Sequence, residues 1–491
     1  MKTLHKLSLI LPLAMAFASC DFDTELSQNT DTSSAYASVR DVDNGTIGAY
    51  QALAYYPFLG NYAIAMSDFA GGLADGSSNT GHFYTVSNWT VTEDDAETEG
   101  IWQYGFIVTD RCVRTINGAN ELIASNKSLS ESDLATLYYD KSQCFAMRAL
   151  AYFTMSQYFC YPYNQGTENK GLPIVNDKPV DAFETLTRAT VGETYKFICA
   201  DIDSALYYNE LSGQSTMQYF YMNVAAIHAL KARVNMHMGN YDVAEEAAKT
   251  AIELKGKGSA VSTDLDPTDE TYLNMWASVN ITDEDIFTLS KTASDNLSAN
   301  SLNTLYGSYC CKVSAYCKTF FNSTDTRAGL IGRVDGNGGS CMKWQGLEGS
   351  QSASNIPIFR KSEMALIIAE CEARKGNIDE AKKYLGYTAK RDTKYAAADG
   401  TCDLSLLPSD KDGLLDFIWK EGVREFFGEG HFLFEARRLD KTITVMGSKC
   451  TTFKPAKFVF PIPSSEINAG FMKEQNENWA AALPVRDKTD N

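Results

Sequence analysis

The 491-residue sequence predicts a mainly α fold, a helical-repeat scaffold joined to an irregular, loop-rich second lobe carrying short strands. Three observations predict it. A helix, tight turn, helix pattern runs through Leu230, Ala232, Gly239, Asn240, Tyr241, Ala244 and Ala248, and returns at nearly the same spacing in Ile367, Ala369, Gly376, Asn377, Ile378, Ala381 and Leu385. Apolar residues recur at helical spacing over residues 100–125 (Ile101, Tyr104, Ile107, Val108, Cys112, Ile116) and 131–160 (Leu134, Leu137, Ala146, Ala149, Leu150, Phe153). Over residues 61–95 and 256–355 that periodicity fades among Gly, Ser, Asn and aromatic residues, with short strand-like runs such as Ile286 to Leu289. Gly permits the bend between paired helices and Ala lets them approach closely, and such units bury their apolar faces by stacking on neighbours.

From the N-terminus, Lys2 and Lys6, an apolar run from Leu7 to Ala18 and small residues before Cys20 have the anatomy of an export signal over residues 1–19, too short to span a membrane. Ala16-Phe17-Ala18-Ser19-Cys20 resembles a bacterial lipobox, which makes Cys20 the expected lipidation site, and Asp21, Asp23 and Glu25 resemble a surface-export signal of Bacteroidetes lipoproteins. Residues 20–38, rich in Ser, Thr and Asp, suit a flexible tether, with a folded body over 39–491. Within the body the patterns predict a helix from Val39 to Tyr56 and helical segments over about 100–255 and 361–440. Thr190 and Glu193 have capping-box spacing, and residues 412–438 read as one more helix.

Composition narrows the function. A net charge of −18 and 44% hydrophobic residues describe a globular protein unsuited to nucleic acid or anionic headgroups. Eleven cysteines follow Cys20 without metal-ligand spacing, several on helical apolar faces (Cys144, Cys199, Cys371), so mostly free buried thiols are expected. There is no H-E-x-x-H, nucleophile elbow, phosphate loop or dinucleotide fingerprint, and no cofactor is expected.

The stretch from Ile418 to Arg438 resembles the C-terminal signature of the SusD/RagB family, through Glu421, Arg424, Glu425, Phe427, Glu429, Gly430, His431, Phe434, Arg437 and Arg438. Arg148-Ala149 with Tyr152-Phe153, Gly171-Leu172-Pro173, Asp325-Thr326-Arg327, and Phe460-Pro461-Ile462-Pro463 with Glu466-Ile467 agree with it as well. The resemblance implies tetratricopeptide-like helical pairs beside a ligand-presenting lobe. It also implies a glycan-binding lipoprotein of the outer membrane and cell surface, joined to the membrane only through Cys20 and acting as the lid of a TonB-dependent, SusC-like transporter. A peptide or glycopeptide ligand, a surface glycoside hydrolase and an adhesive structural lipoprotein are the competing readings.

For the hydrolase, Glu425 and Glu429 stand at i and i+4, but neighbours on one helix face cannot flank a sugar from opposite sides. An internal network joining Arg424, Glu425, Glu429, His431 and Arg437 is expected instead. For binding, sugar rings stack their C–H faces on aromatics and need polar partners for their hydroxyls. The irregular stretches supply Trp89, Trp276, Trp344, Tyr84, Asn88, Tyr306, Tyr309, Tyr316 and Arg327 as expected contacts, with Asp68, Asn79 and Asn303 nearby.

Overall fold

The computed structural model describes residues 35–181, 184–257, 270–446 and 450–484. The export signal and Cys20 lie outside the described residues. The helical body comprises α1 (Val39–Leu53), α2 (Tyr62–Gly71), α3 (Ala96–Ser125), α4 (Glu131–Phe159), α5 (Val191–Ser212), α6 (Val224–Met238), α7 (Tyr241–Ile252), α8 (Lys361–Lys375), α9 (Ile378–Ala389), α10 (Lys411–Phe426) and α11 (Phe432–Arg438). Neighbours in sequence pack as neighbours in space (α3 on α4, α4 on α5, α6 on α7, α8 on α9), and α8 then joins the two repeat segments by packing on α7.

The two turn motifs are conformational copies. Gly239 and Gly376 end α6 and α8 at φ +79° and +88°, in the left-handed region that favours glycine. Asn240 and Asn377 then adopt φ/ψ of −83°/66° and −82°/68° before the next helix. Ala232, Ala244, Ala248, Ala369 and Ala381 are fully buried where the helices meet. The Thr190–Glu193 capping box forms, and a second one, Ser130 with Asp133, opens α4.

Two segments differ from expectation. Residues 62–71 form a helix inside the stretch read as loop, because Ala63 to Gly71 are all buried and a helix enclosed on every side shows no amphipathic period. Residues 412–438 form two helices, since Gly428 and Gly430 take φ of +81° and +85° between α10 and α11. A Cβ on Gly428 would lie 2.7 Å from the Cys341 sulfur.

The strands pair as two-stranded antiparallel ribbons. β1 (Ala74–Asp75) pairs with β5 (Lys312–Val313), β2 (Lys170–Pro173) with β3 (Arg188–Thr190), and β4 (Asp285–Leu289) with β8 (Ile356–Arg360). β6 (Ile331–Val334) pairs with β7 (Asn337–Cys341) through an Asp335-Gly336 turn, and β9 (Ile443–Met446) with β10 (Cys450–Phe453). Cys112, Cys144, Cys160, Cys311, Cys317, Cys341 and Cys371 are buried free thiols.

Where α10 meets this lobe lies a buried ion network. Arg327 bonds Asp325 at 2.9 Å, Glu421 at 2.7 Å and Glu425 at 3.1 Å. Arg360 reaches Glu284, Glu425 and Glu429 at 2.7, 2.9 and 2.8 Å. Arg391 bonds Glu284 and Glu425, Lys343 bonds Glu429 at 2.5 Å, and Arg424 bonds Glu421 at 2.7 Å. Five cations thus face five carboxylates, as buried charge requires. The expected network is corrected in its membership. Glu429 sits in the turn after α10, not on it. Arg437 donates to the Gln157 and Cys160 carbonyls, and His431 lies against the Phe426 ring.

Burial alone would push the Glu421 carboxyl up, but Arg327 and Arg424 outweigh it and hold it at about 2. Its folded value is therefore below its unfolded one, so its contribution is present above the ordinary glutamate value of about 4.3 and is lost as pH falls toward 2. Glu421→Gln is expected to lower stability at pH 7 by about 3–5 kcal/mol, by leaving Arg327 and Arg424 under-paired. It should also flatten the fall between pH 4.5 and 2, measured by urea unfolding across pH. An unchanged slope with a loss under about 1 kcal/mol would contradict the network's role.

Candidate functional site

The β1–β5 pairing brings two remote loops together, residues 76–90 and 307–311. Ser314 reinforces the junction, its hydroxyl donating to the Gly72 carbonyl at 2.7 Å and its N–H to the Leu73 carbonyl at 2.8 Å. In the first loop Phe83 is buried at φ +51°, its ring stacked on Phe69 at 4.6 Å and edge-on to Tyr62 at 5.8 Å. Its N–H donates to Glu97 at 3.4 Å. A bulky residue in the left-handed region is held there only by its surroundings, and such strain gathers at functional sites. The buried Phe83 leaves its neighbours at the surface, His82 half-buried and Tyr84 43% exposed.

The His82 ring stacks on Tyr309 with centroids 3.9 Å apart and planes 15° from parallel. The Thr80 hydroxyl donates to the Tyr309 carbonyl at 3.0 Å, and the Tyr309 N–H donates to the Thr304 carbonyl at 2.9 Å. Burial pushes the His82 imidazole below its ordinary value, so it is neutral at pH 7. Asn79 is exposed on the same loop, and the Asn88 amide donates to the Tyr84 carbonyl at 2.8 Å. The hydroxyls of Tyr84 and Tyr309 make no hydrogen bond within the described protein. The result is a solvent-facing aromatic surface with polar groups at its edge, the chemistry a sugar ring needs on one face and at its rim.

Among the expected contacts, Tyr84 and Asn88 lie on the first loop and Tyr309 on the second. The buried ones are corrected. Trp344 is fully buried, its indole N–H donating to the Gly428 carbonyl at 3.0 Å. Trp276 is 5% exposed, packed against Tyr272 and Trp344 beneath Lys343 and Arg360. Trp89 is 4% exposed, its ring edge on Phe458, and Tyr306 is buried against Phe69. Arg327 belongs to the ion network, Asp68 is buried, and Asn303 is buried with its amide on the Trp344 carbonyl. Tyr316 is half-buried, its ring edge-on to Phe320 and Phe432. The irregular lobe shares the main apolar core of the helices, so lack of periodicity did not mean exposure. His82 was not among the expected contacts, which were drawn from Trp, Tyr, Asn and Arg. Its alternation with Phe83 and Tyr84 in a stretch without helical period was the available signal.

A cavity of about 130 Å³ lies inside the scaffold, lined by Phe153, Met236, Leu366, Phe426 and Phe434 among others. Its charged groups satisfy one another, Arg233 with Glu363, Arg438 with Glu370 at 2.6 Å, and His237 with Glu435 at 3.3 Å. It is a feature of the packed repeats and signature helices, not of the loop face. Among the described residues no three His, Cys, Asp or Glu side chains gather as a metal site needs.

These features define a class of protein first: stacked helical hairpins carrying a loop-built aromatic face on an irregular lobe. Two family models match the chain, "Starch-binding associating with outer membrane" over residues 23–236 and "SusD family" over residues 290–479. The chain belongs to the SusD/RagB family. Similar solved structures include a SusD superfamily protein from Bacteroides thetaiotaomicron, 24% identical with a TM-score of 0.74 over 89% of this chain and 99% of that one. A SusD superfamily protein from Bacteroides vulgatus is 23% identical with a TM-score of 0.75, covering 90% and 99%. A SusD-like carbohydrate binding protein from the same species is 16% identical with a TM-score of 0.67, covering 91% and 97%. No curated protein matches the chain.

The division between core and surface aromatics can be measured. Trp344→Ala is expected to destabilise the protein by about 3–5 kcal/mol. Tyr84→Ala should change stability by less than about 1 kcal/mol in the same urea titration. Equal losses would contradict the assignment of Tyr84 to the surface face.

Proposed function

We propose that the protein is a cell-surface lipoprotein of the outer membrane that captures an oligo- or polysaccharide and delivers it to a partner TonB-dependent transporter, without cleaving it. The observation that carries the reading is the His82–Tyr309 stack beside exposed Tyr84, with two tyrosine hydroxyls unengaged. A neutral imidazole on a phenol offers an uncharged platform, and binding there asks for little side-chain ordering. The match to a starch-binding, outer-membrane-associating family and the likeness to a carbohydrate binding protein support the same ligand class. Delivery to a transporter and lipid anchoring at Cys20 rest on the family resemblance and the export-signal reading.

A binding role without hydrolysis is supported by the state of the signature acids. Glu421 and Glu425 are enclosed and held ionised by arginines, whereas a glycosidase needs one protonated acid and a second carboxylate across an open cleft.

Protein beginning after Cys20 would be run in native affinity gels against soluble plant, host and microbial glycans, with reducing ends assayed in the same samples. Retardation by one glycan class without new reducing ends is expected. Tyr309→Ala and His82→Ala should each weaken it by about tenfold or more. New reducing ends would overturn the non-catalytic reading. Retardation untouched by both substitutions would remove the site, and no retardation would favour a peptide ligand.

A further inference from the structure

The cavity inside the scaffold is walled mainly by α4, α6, α8, α10 and α11, the helices that join the repeats to the signature segment. On α10 the residues Ile418, Gly422 and Phe426, four apart and therefore on one face, all line it. Gly422 is the gap in that row. It stands in the interior of a regular helix, where glycine is disfavoured, and a Cβ placed on it would meet nothing within 4 Å. Neither a turn nor a close approach calls for glycine there. The missing side chain leaves the volume open.

The rest of the wall is mostly apolar, and its ionic groups are already paired. Arg233 bonds Glu363 at 2.5 Å, Arg438 bonds Glu370 at 2.6 Å and Glu435 at 2.5 Å, and Glu435 also faces His237 at 3.3 Å. Burial pushes the imidazoles of His237 and His431 below their ordinary value, so both are neutral at pH 7. Three uncharged polar groups on the wall keep bonding capacity to spare. The Thr154 hydroxyl and the His431 imidazole make no hydrogen bond within the described protein. Gln157, 7% exposed and three residues after Thr154 on α4, donates its amide to the Tyr195 hydroxyl at 2.9 Å, while its side-chain oxygen accepts no bond within the described protein.

We infer that the scaffold cavity is a binding site for a small uncharged organic molecule, one ring carrying a hydroxyl group, of the phenol class. Size sets the first limit. A cavity of about 150 Å³ lined by Leu, Ile and Phe takes up benzene, so the 130 Å³ here suits a single ring. Polarity sets the second. A phenol hydroxyl can donate to the Gln157 oxygen and can donate to or accept from Thr154 or His431, groups that otherwise stay buried without partners. Charge sets the third, because an ammonium or carboxylate would enter with no free counterion and would lose its hydration. The inference does not rest on the glycan reading, since no residue of the loops 76–90 and 307–311 lines the cavity. A molecule held there touches both the repeats and the signature helices, so its binding stabilises their packed arrangement by mass action.

The test is calorimetric titration of the protein with phenol, toluene, benzoate and benzylamine, with melting temperatures recorded at the same ligand concentrations. Phenol is expected to bind one molecule per chain with a Kd below about 1 mM and to raise the melting temperature. Toluene, the same ring with a methyl in place of the hydroxyl, should bind about tenfold more weakly, and benzoate and benzylamine should give no heat of binding. Gly422→Leu fills the open volume and puts a strong helix former in a helix interior, so it should melt no lower than the wild type while losing phenol binding. Gly422→Met, whose flexible side chain fits more shapes, makes the same test if leucine lowers the melting temperature. Glycan retardation in the gels should be unchanged in both variants. A wild type that binds no phenol, a folded filled variant that binds it as the wild type does, or equal affinity for phenol and toluene would overturn the inference and leave the glycan reading standing.

Discussion

Five cations and five carboxylates sealed from water between α10 and the irregular lobe set the terms for everything around them. Taking such charges out of water costs several kcal/mol per ion, and their mutual attraction offsets this only in one geometry. A well-packed apolar replacement could be as stable, so the network is better understood as fixing arrangement than as supplying net stability. Its members come from the residue before β4 (Glu284), the loop before β6 (Asp325, Arg327), the turn after β7 (Lys343), the end of β8 (Arg360), the segment after α9 (Arg391), and α10 with the turn that follows it. Displacing any one of these leaves a charge unpaired. The helical repeats and the second lobe are therefore registered on each other by electrostatics inside an otherwise apolar contact.

That registration reaches the surface through β7. Lys343 bonds Glu429, and its neighbour Trp344 bonds the Gly428 carbonyl. One strand earlier, Asn337 donates to the carbonyls of Tyr306 and Cys311 at 2.8 and 3.0 Å, and Ser340 donates to that of Tyr306 at 2.7 Å. These bonds bracket Tyr309, whose loop would otherwise be free to turn its ring away from His82. Phe83 does the same for the opposite loop from the core side. The half-buried stack thus stands on two rigid supports, one polar and one apolar, as a preorganised recognition surface requires.

How much of this was legible follows from which forces act locally. The hairpin turns were legible because Gly239 and Gly376 answer to backbone sterics alone, and the Thr190 cap because it closes within four residues. The charge pairing of Glu425 and Glu429 was legible as a need but not as an address. Arg327, Lys343, Arg360 and Arg391 lie in other segments, and nothing in their local context marks them as partners. Arg327 was read as a ligand contact for that reason. Trp276 and Trp344 failed similarly: a ring in an irregular stretch is buried or exposed according to what folds over it, and here the signature turn and the network fold over both. Tyr84 and Tyr309 carried the same sequence signal and differ only in tertiary placement.

The choice of tyrosine and histidine over longer polar side chains at the exposed face has its own physical sense. A ring with two rotatable bonds that already rests on another ring has little freedom left to lose, so a sugar's weak stacking energy is not spent on ordering the site. A lysine or glutamine in the same place would form stronger individual bonds and surrender more side-chain entropy in doing so. The sequence places its charge elsewhere, paired in the core or spread over a surface with net charge −18. At the His82–Tyr309 face recognition falls to ring shape and neutral hydroxyls, and an uncharged face of this kind is insensitive to the salt that screens charged ones.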